Sequence, residues 1–342
     1  MESRPPAPAT DGGGETTRHR EPSALARAWS RWPGTVVRLL IAVLPLAWVS
    51  QRVHWHAVMH RAFDTGARGI SLALLSTFAT LFVGAMRWDL MLRAYDADPV
   101  KRPPLLTLFR HNLVGQYFAV LPTGVAGEAV RGYRVQDCFR DPTTSYLVLF
   151  IERLAGLLGL LVIAGVTTVL SPSIRGDAVT WAMQMGMLVA LVAGSVVFAL
   201  PQIADRSETA RKIIAAIPVA GPILRRIPPA RKIQPLLVAL ALSVVAQLGT
   251  LLTTYALIAP LSSAATLWAC ARAVPAIVLI TYIPLTPGGL GQREAAFQHF
   301  FGIVGVESEA AVAASLLFFG VFLASSLVGG AVLLWERARK LG

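Results

Sequence analysis

Apolar stretches of near-bilayer length follow one another through this chain, and that series constrains the fold more than any motif in it. The hydrocarbon core of a membrane is about 30 Å thick and takes about 20 helical residues to cross. Seven or eight stretches approach that length with few charges: approximately Val36–Val49, Ile70–Met86, Leu105–Leu121, Tyr146–Leu170, Val179–Leu200, Pro235–Ala259, Thr266–Pro284 and Ala310–Trp335. Of 342 residues, 55% are hydrophobic and 15% charged, against about 25% charged in an ordinary soluble domain. Thirty-one Lys and Arg against nineteen Asp and Glu give a net charge of +12. The basic residues cluster in short segments between apolar runs rather than along a hydrophilic face, which excludes a typical nucleic-acid binder. Cys138 and Cys270 are far apart and no paired CxxC motif exists, so neither a disulfide framework nor a cysteine-based zinc site is expected.

The first 33 residues, rich in Arg, Pro and Gly and including Gly12-Gly13-Gly14, bury too little surface to fold alone and are expected to form a disordered cytoplasmic tail. Residues 34–336 then form the membrane domain, and 337–342 a short basic tail. Lys and Arg are retained on the cytoplasmic side. The segment 201–234, with Arg206, Arg211, Lys212, Arg225, Arg226, Arg231 and Lys232, is the strongest such anchor. Counting backwards puts Arg131–Asp141 inside, and Arg87–Pro104 is also best placed inside. Leu105–Leu121 then lies between two cytoplasmic segments and cannot cross singly. A re-entrant hairpin resolves this: the run dips in, turns at Pro122-Thr123-Gly124 and returns through Val125–Cys138. Counting forwards puts Pro284–Pro287 inside, so a basic C-terminus on the same side requires a further crossing by Gly288–Gly302. The expected fold is an all-α polytopic membrane protein of about seven or eight transmembrane helices, with two re-entrant or broken segments and a weak internal repeat.

That repeat is carried by two glycine turns, Pro122-Thr-Gly-Val-Ala-Gly-Glu128 and Pro287-Gly-Gly-Leu-Gly-Gln-Arg-Glu294. Each places Pro, Gly, an aliphatic residue, Gly and Glu ahead of a helix-like stretch. Broken backbone at membrane depth is tolerated where it is buried in protein or lines a wet cavity, and a new helix N-terminus there presents N–H groups to an anion. Paired interruptions of this kind point to a transporter's central site. The alternative is that Glu128 and Glu294 cap ordinary interhelical loops, a favourable placement whatever the function.

Charges in or bordering apolar runs include Arg110, Glu128, Arg131, Glu152, Arg153, Arg272, Arg293 and Glu294. Each costs about 2.5–3.5 kcal/mol at mid-membrane if unpaired, so they must pair or face water. Glu152, Gly156 and Gly159 share one helical face, as do Asn112, Gly115, Gln116 and Ala119, and both faces are expected to look inward. Buried ion pairs that merely fix packing are the alternative reading of Glu152, Arg131 and Arg153. Arg272, just before Pro275, suggests a kinked helix in contact with an anion, or a side chain that snorkels to the interface. His54, His56 and His60 have no cysteine and a single acid, Asp64, nearby in sequence and suit a solvated interface better than a metal.

Pro122-Thr-Gly-Val-Ala-Gly-Glu-Ala-Val-Arg131, then Glu152-Arg153, then Pro287-Gly-Gly-Leu-Gly-Gln-Arg-Glu294, in that order in a polytopic chain, resembles the lysylphosphatidylglycerol synthase transmembrane family, also called flippase-like membrane proteins. The resemblance runs from about Val36 to Trp335 and places Gly124, Gly127, Glu128, Arg131, Glu152, Arg153, Pro287, Gly288, Gly289, Gly291 and Glu294 at the family's motif positions. It implies a membrane domain of the kind that, in the full-length synthases, translocates aminoacylated phosphatidylglycerol between leaflets. Those synthases carry a soluble aminoacyl-transferase domain after the membrane part. This sequence stops at Gly342, so synthesis of an aminoacyl lipid is not expected of it. The expectation is a non-enzymatic lipid flippase or transporter in the cell membrane, N-terminus cytoplasmic, acting without a cofactor on lipids with anionic headgroups. Arg272 and Arg293 are added to the site on the chemistry above. A membrane-embedded headgroup transferase, or a non-catalytic partner of a separately encoded lipid-synthesis enzyme, is the alternative.

Overall fold

The computed structural model describes residues 54–120, 126–170, 178–203, 207–216, 230–282, 289 and 291–341. The expected first span Val36–Val49, the N-terminal tail and the motif residues Pro122, Gly124, Pro287 and Gly288 lie outside them. The regular elements among the described residues are all helices, without a strand. The helices are α1 (Trp55–Asp64), α2 (Gly66–Ala94), α3 (Leu105–Ala119), α4 (Ala126–Val135), α5 (Thr143–Leu170), α6 (Ala178–Ile203), α7 (Glu208–Ala216), α8 (Ile233–Ile258), α9 (Leu267–Thr281), α10 (Gln292–Ile303) and α11 (Ser308–Leu341). Five are long and apolar enough to cross a bilayer: α2, α5, α6, α8 and α11.

The spans alternate in direction about an antiparallel α2–α8 pair. Thr65 Oγ1 donates to Leu257 O (3.2 Å), Ser76 Oγ to Gly249 O (2.9 Å), and Arg231 N to Ala94 O (2.9 Å), so the start of one helix lies at the end of the other. The end of α2 belongs to a basic face that also carries Arg93, Lys101, Arg102, Arg231 and Lys232; Arg134 joins it to the end of α11 through Glu336, at 2.8 Å. At the opposite face Arg61 bridges Glu307 (2.7 Å) and donates to Leu261 O (3.2 Å), bringing together α1, the end of α8 and the start of α11.

Two short-helix hairpins enter this bundle from opposite faces. In the first, α3 descends and α4 returns, and the ends meet where Asp98 N donates to Cys138 O at 2.8 Å. This is the re-entrant loop that charge parity demanded, since 15 residues at about 1.5 Å each are too short to cross. The second hairpin, α9 and α10, has its open end at the opposite face, near Leu261 and Glu307, and its halves are joined by Gln292 Nε2 donating to Ile280 O at 2.5 Å. α10 is therefore the returning limb of a hairpin rather than a crossing of its own, and α11 alone carries the chain back to the basic face. Arg337 and Arg339 are the last turns of α11, not a separate tail.

The hairpins repeat each other more closely than their sequences do. Each begins with a 15-residue helix, after an extended cap residue (Pro104 ψ 157°, Thr266 ψ 163°), and each carries arginine at the sixth position, Arg110 and Arg272. Their C-caps, Val120 and Tyr282, have nearly the same backbone angles (φ −65°, ψ −24° and −25°).

Close crossings at small residues hold the first hairpin in place. A Cβ on Gly127 would strike Gly115 O, and one on Gly329 of α11 would strike Leu113 O of α3. Gly329→Ala should therefore lower the thermal unfolding midpoint in detergent, by about 1–3 kcal/mol of overpacking, whereas Gly320→Ala, in the same helix with open space around it, should leave the midpoint unchanged or slightly raised.

Candidate functional site

The middle of the bundle holds a cavity of about 470 Å³. Its walls come from α2, α3, α4, α5 and α8 and from two aromatic residues later in the chain. Thr80, Gly84 and Arg87 of α2 face Ala246, Gln247 and Thr250 of α8. Asn112, Gly115, Gln116 and Ala119 of α3, the face expected to look inward, all line it. From α4 come Gly127, Glu128 and Arg131, and from α5 Glu152, Arg153 and Gly156. Tyr282, at the tip of the second hairpin, and Phe322 of α11 complete the wall. Glu152 is nine residues into α5, roughly 13 Å from its start at the basic face, so the cavity lies within the membrane-spanning part of the bundle.

Glu152 is the hub of its electrostatics. Its side chain is 3% exposed, and each carboxylate oxygen takes a different arginine. Oε1 accepts from Arg87 Nη2 at 2.9 Å and Oε2 from Arg131 Nη2 at 2.7 Å. Arg87 also reaches Ser243 Oγ at 3.5 Å, and a side chain at Gly156 would crowd its guanidinium, so that glycine makes room for the arginine. Gly159, one turn on, lets the Ser243 backbone of α8 come close. Arg131 stacks on the Trp88 ring with 4.4 Å to its centroid and contacts Glu128 more loosely at 3.4 Å. Its buried Nε has no hydrogen-bond partner among the described residues.

Two ionic groups at the cavity wall are left with spare capacity. Arg153 lies over the Tyr282 ring at 5.4 Å and has no carboxylate within salt-bridge reach among the described residues. Glu128, about one-third exposed, has only the long contact to Arg131 among the described residues. The pair offers a cation and an anion on one wall, apart from the tight Arg87–Glu152–Arg131 triad.

The second glycine turn makes a different structure. Gly289 and Gly291 adopt left-handed backbone (φ 71° and 76°), which explains why glycine stands there. Glu294 Oε2 accepts from Gly291 N at 2.6 Å, capping α10, while Oε1 accepts from Arg293 Nη2 at 2.8 Å and from Ser315 Oγ at 3.1 Å. Arg293 further donates to Ser315 Oγ (3.1 Å) and covers the Phe319 ring (4.8 Å). This closed, buried cluster is absent from the cavity wall, and its geometry matches the capping alternative for Glu294. Arg272 does not line the cavity either, and lies in the second turn of α9. Among the described site residues, Gly127, Glu128, Arg131, Glu152 and Arg153 thus come together, while Gly289, Gly291, Arg293, Glu294 and Arg272 do not line the same space. Arg87 was hidden in sequence as an interfacial charge; the signal that could have exposed it is Trp88-Asp89-Leu-Met-Leu-Arg93, helical in composition and extending α2 beyond the apolar run.

Two smaller cavities share walls with the central one. An apolar groove of about 280 Å³ continues from Glu128, Leu149 and Arg153 past Ala129 to Tyr146 and Phe150, which are exposed on the outside of the bundle. A recess of about 160 Å³ continues from Thr80, Gln116 and Thr250 to Thr77 and Thr253, farther from the basic face.

Removing the hub should cost fold, and removing the loosely held acid should not. Glu152→Gln leaves two buried guanidinium groups short of an anion and should destabilise the protein by about 3–5 kcal/mol; Glu128→Gln should leave the unfolding midpoint close to wild type, both read by thermal unfolding in detergent.

No curated protein and no solved structure matches the chain. One family model does match, that of the lysylphosphatidylglycerol synthase TM region, over residues 35–330. That stretch contains every described span and both hairpins to within the last turns of α11, and the chain belongs to this family of membrane proteins.

Proposed function

We propose that this protein moves a phosphate-bearing lipid between the leaflets of the cell membrane. The observation that carries this reading is a charge-lined cavity in mid-bundle that continues sideways into an apolar groove. A lipid has the matching two-part chemistry. Its headgroup needs polar partners to cross hydrocarbon, whereas its acyl chains need none. The headgroup phosphate takes the free Arg153, with the Arg131 Nε–H as a second donor; Glu128 receives any cationic part of the headgroup. The acyl chains lie along Tyr146 and Phe150 in the groove and remain in contact with the bilayer. The threonine-lined recess carries the headgroup onward, away from the basic face.

The basic face is cytoplasmic in this reading, because Lys and Arg at helix ends are retained there. Family membership supports a membrane role connected with lipids. The triad holds α2, α4 and α5 at fixed spacing and is a positioning element. Arg153 and Glu128 are the groups that meet the headgroup.

Purified protein reconstituted into vesicles should accelerate the leaflet exchange of headgroup-labelled phosphatidylglycerol over protein-free vesicles. Arg153→Ala should slow that exchange by about 10- to 100-fold, the loss of a charged hydrogen-bond partner, with the unfolding midpoint unchanged. Exchange at the wild-type rate in Arg153→Ala and Glu128→Ala proteins would reject the site. A chemically altered lipid recovered by mass spectrometry would favour a headgroup transferase instead.

A further inference from the structure

The basic face carries a second cavity, separate from the first, of about 440 Å³ between the end of α2, the link to the first hairpin and the start of α8. Arg93, Arg102 and Lys232 line it, with Asp96 and the apolar walls of Ala97, Pro99 and Pro235. Its acids are already engaged. Asp89, largely buried below, holds Arg93 at 2.6 Å and Arg102 at 3.2 Å. Asp96 pairs with Arg231 at 2.8 Å, and its left-handed backbone (φ 60°) fixes the turn. The neighbouring Asp98 accepts from the Val100 amide at 2.9 Å. Around the cavity the four cations Arg93, Arg102, Arg231 and Lys232 therefore face the three carboxylates Asp89, Asp96 and Asp98, and Lys232 has no carboxylate within salt-bridge reach among the described residues. Lys232 is also the N-cap residue of α8, whose first turn contains no acid, so the helix dipole adds to the same positive field.

We infer that this cavity binds the phosphate of an anionic phospholipid in the leaflet on the basic face, as a fixed lipid site distinct from the transport cavity. Its depth favours a lipid over a soluble ligand. It lies at the ends of two membrane-spanning helices, where headgroups sit, and basic pockets between transmembrane helices at that level suit anionic headgroups. The apolar walls from Pro99 and Pro235 accept the glycerol end of the molecule. Because Asp89 already ties Arg93 of α2 to Arg102 of the following link, a phosphate bridging Arg93, Arg102 and Lys232 joins the root of the first hairpin to α8. Occupancy should stabilise the whole protein.

The test is thermal unfolding of full-length Arg153→Ala protein in detergent, a background in which the transport cavity is weakened. The probes are phosphatidylglycerol, phosphatidylcholine and inorganic phosphate. Phosphatidylglycerol should raise the midpoint and phosphatidylcholine should not. Each surface charge removed should weaken binding about fivefold, so Arg93→Gln/Lys232→Gln should shift the phosphatidylglycerol dose response by about 25-fold, while Lys232→Arg should retain it. An equal shift with phosphatidylcholine, or an undiminished response in the double variant, would overturn the site. Saturation by millimolar phosphate with loss of the phosphatidylglycerol response would assign the cavity to a free anion and overturn the lipid. A midpoint shift present only when Arg153 is restored would place the lipid in the transport cavity and also overturn the inference.

Discussion

A carboxylate shared by two arginines between the membrane-spanning helices is the interaction around which the rest of this protein is arranged. Glu152 accepts from Arg87 on one oxygen and from Arg131 on the other, so one side chain on α5 joins a membrane span to the returning limb of a re-entrant hairpin. Any one of the three left unpaired there would be a buried, uncompensated charge, and the pairing is favourable because each carboxylate oxygen is satisfied with short geometry. The small residues nearby follow from it. Gly156 leaves space for Arg87, and Gly115 and Gly127 let α3 and α4 approach closely enough to present Arg131. The triad holds two arginines against one glutamate, and Glu128, 3.4 Å from Arg131, offsets the surplus positive charge; among the described residues Arg153 is left without a carboxylate and Glu128 with that one long contact.

The two hairpins give that arrangement its polarity. One enters from the basic face and the other from the opposite face, with matched 15-residue helices and arginine at the same place in each. Inverted pairs of interrupted segments commonly flank a midplane site. Here the copies have diverged. The first contributes Glu128 and Arg131 to the cavity wall, while the second turns its glutamate into a cap for α10 and sends Tyr282 to the cavity.

Much of this was legible in the sequence, for physical reasons that also explain what was not. Apolar runs identify spans because lipid tolerates little else, and seven of the eight appear as five crossing helices and the first limbs of two hairpins. Charge parity exposed the first hairpin because arginines flank it on both sides. It failed for the second, because residues 283–288 carry no charge in sequence and give parity nothing to count. The inward face of Asn112, Gly115, Gln116 and Ala119 followed from helical spacing alone. Arg87 was missed because the end of an apolar run marks where hydrophobicity stops, whereas α2 continues to Ala94 and carries the arginine two turns inside the helix. Glu294 could not be told from Glu128, since both follow the same glycine pattern. Only tertiary partners, Ser315 for one and the open cavity for the other, separate them.

In the proposed function, water and headgroups reach the polar cavity from the membrane and its surface. Cysteine accessibility along α8 tests it most directly, in protein with Cys138 and Cys270 replaced. Thr250 faces the cavity, and Val245 lies exposed on the outer surface of the same helix. A charged, membrane-impermeant thiol reagent should modify Thr250→Cys in reconstituted vesicles and leave the lipid-facing Val245→Cys untouched. Inertness at position 250, with labelling intact at a loop cysteine, would contradict the account.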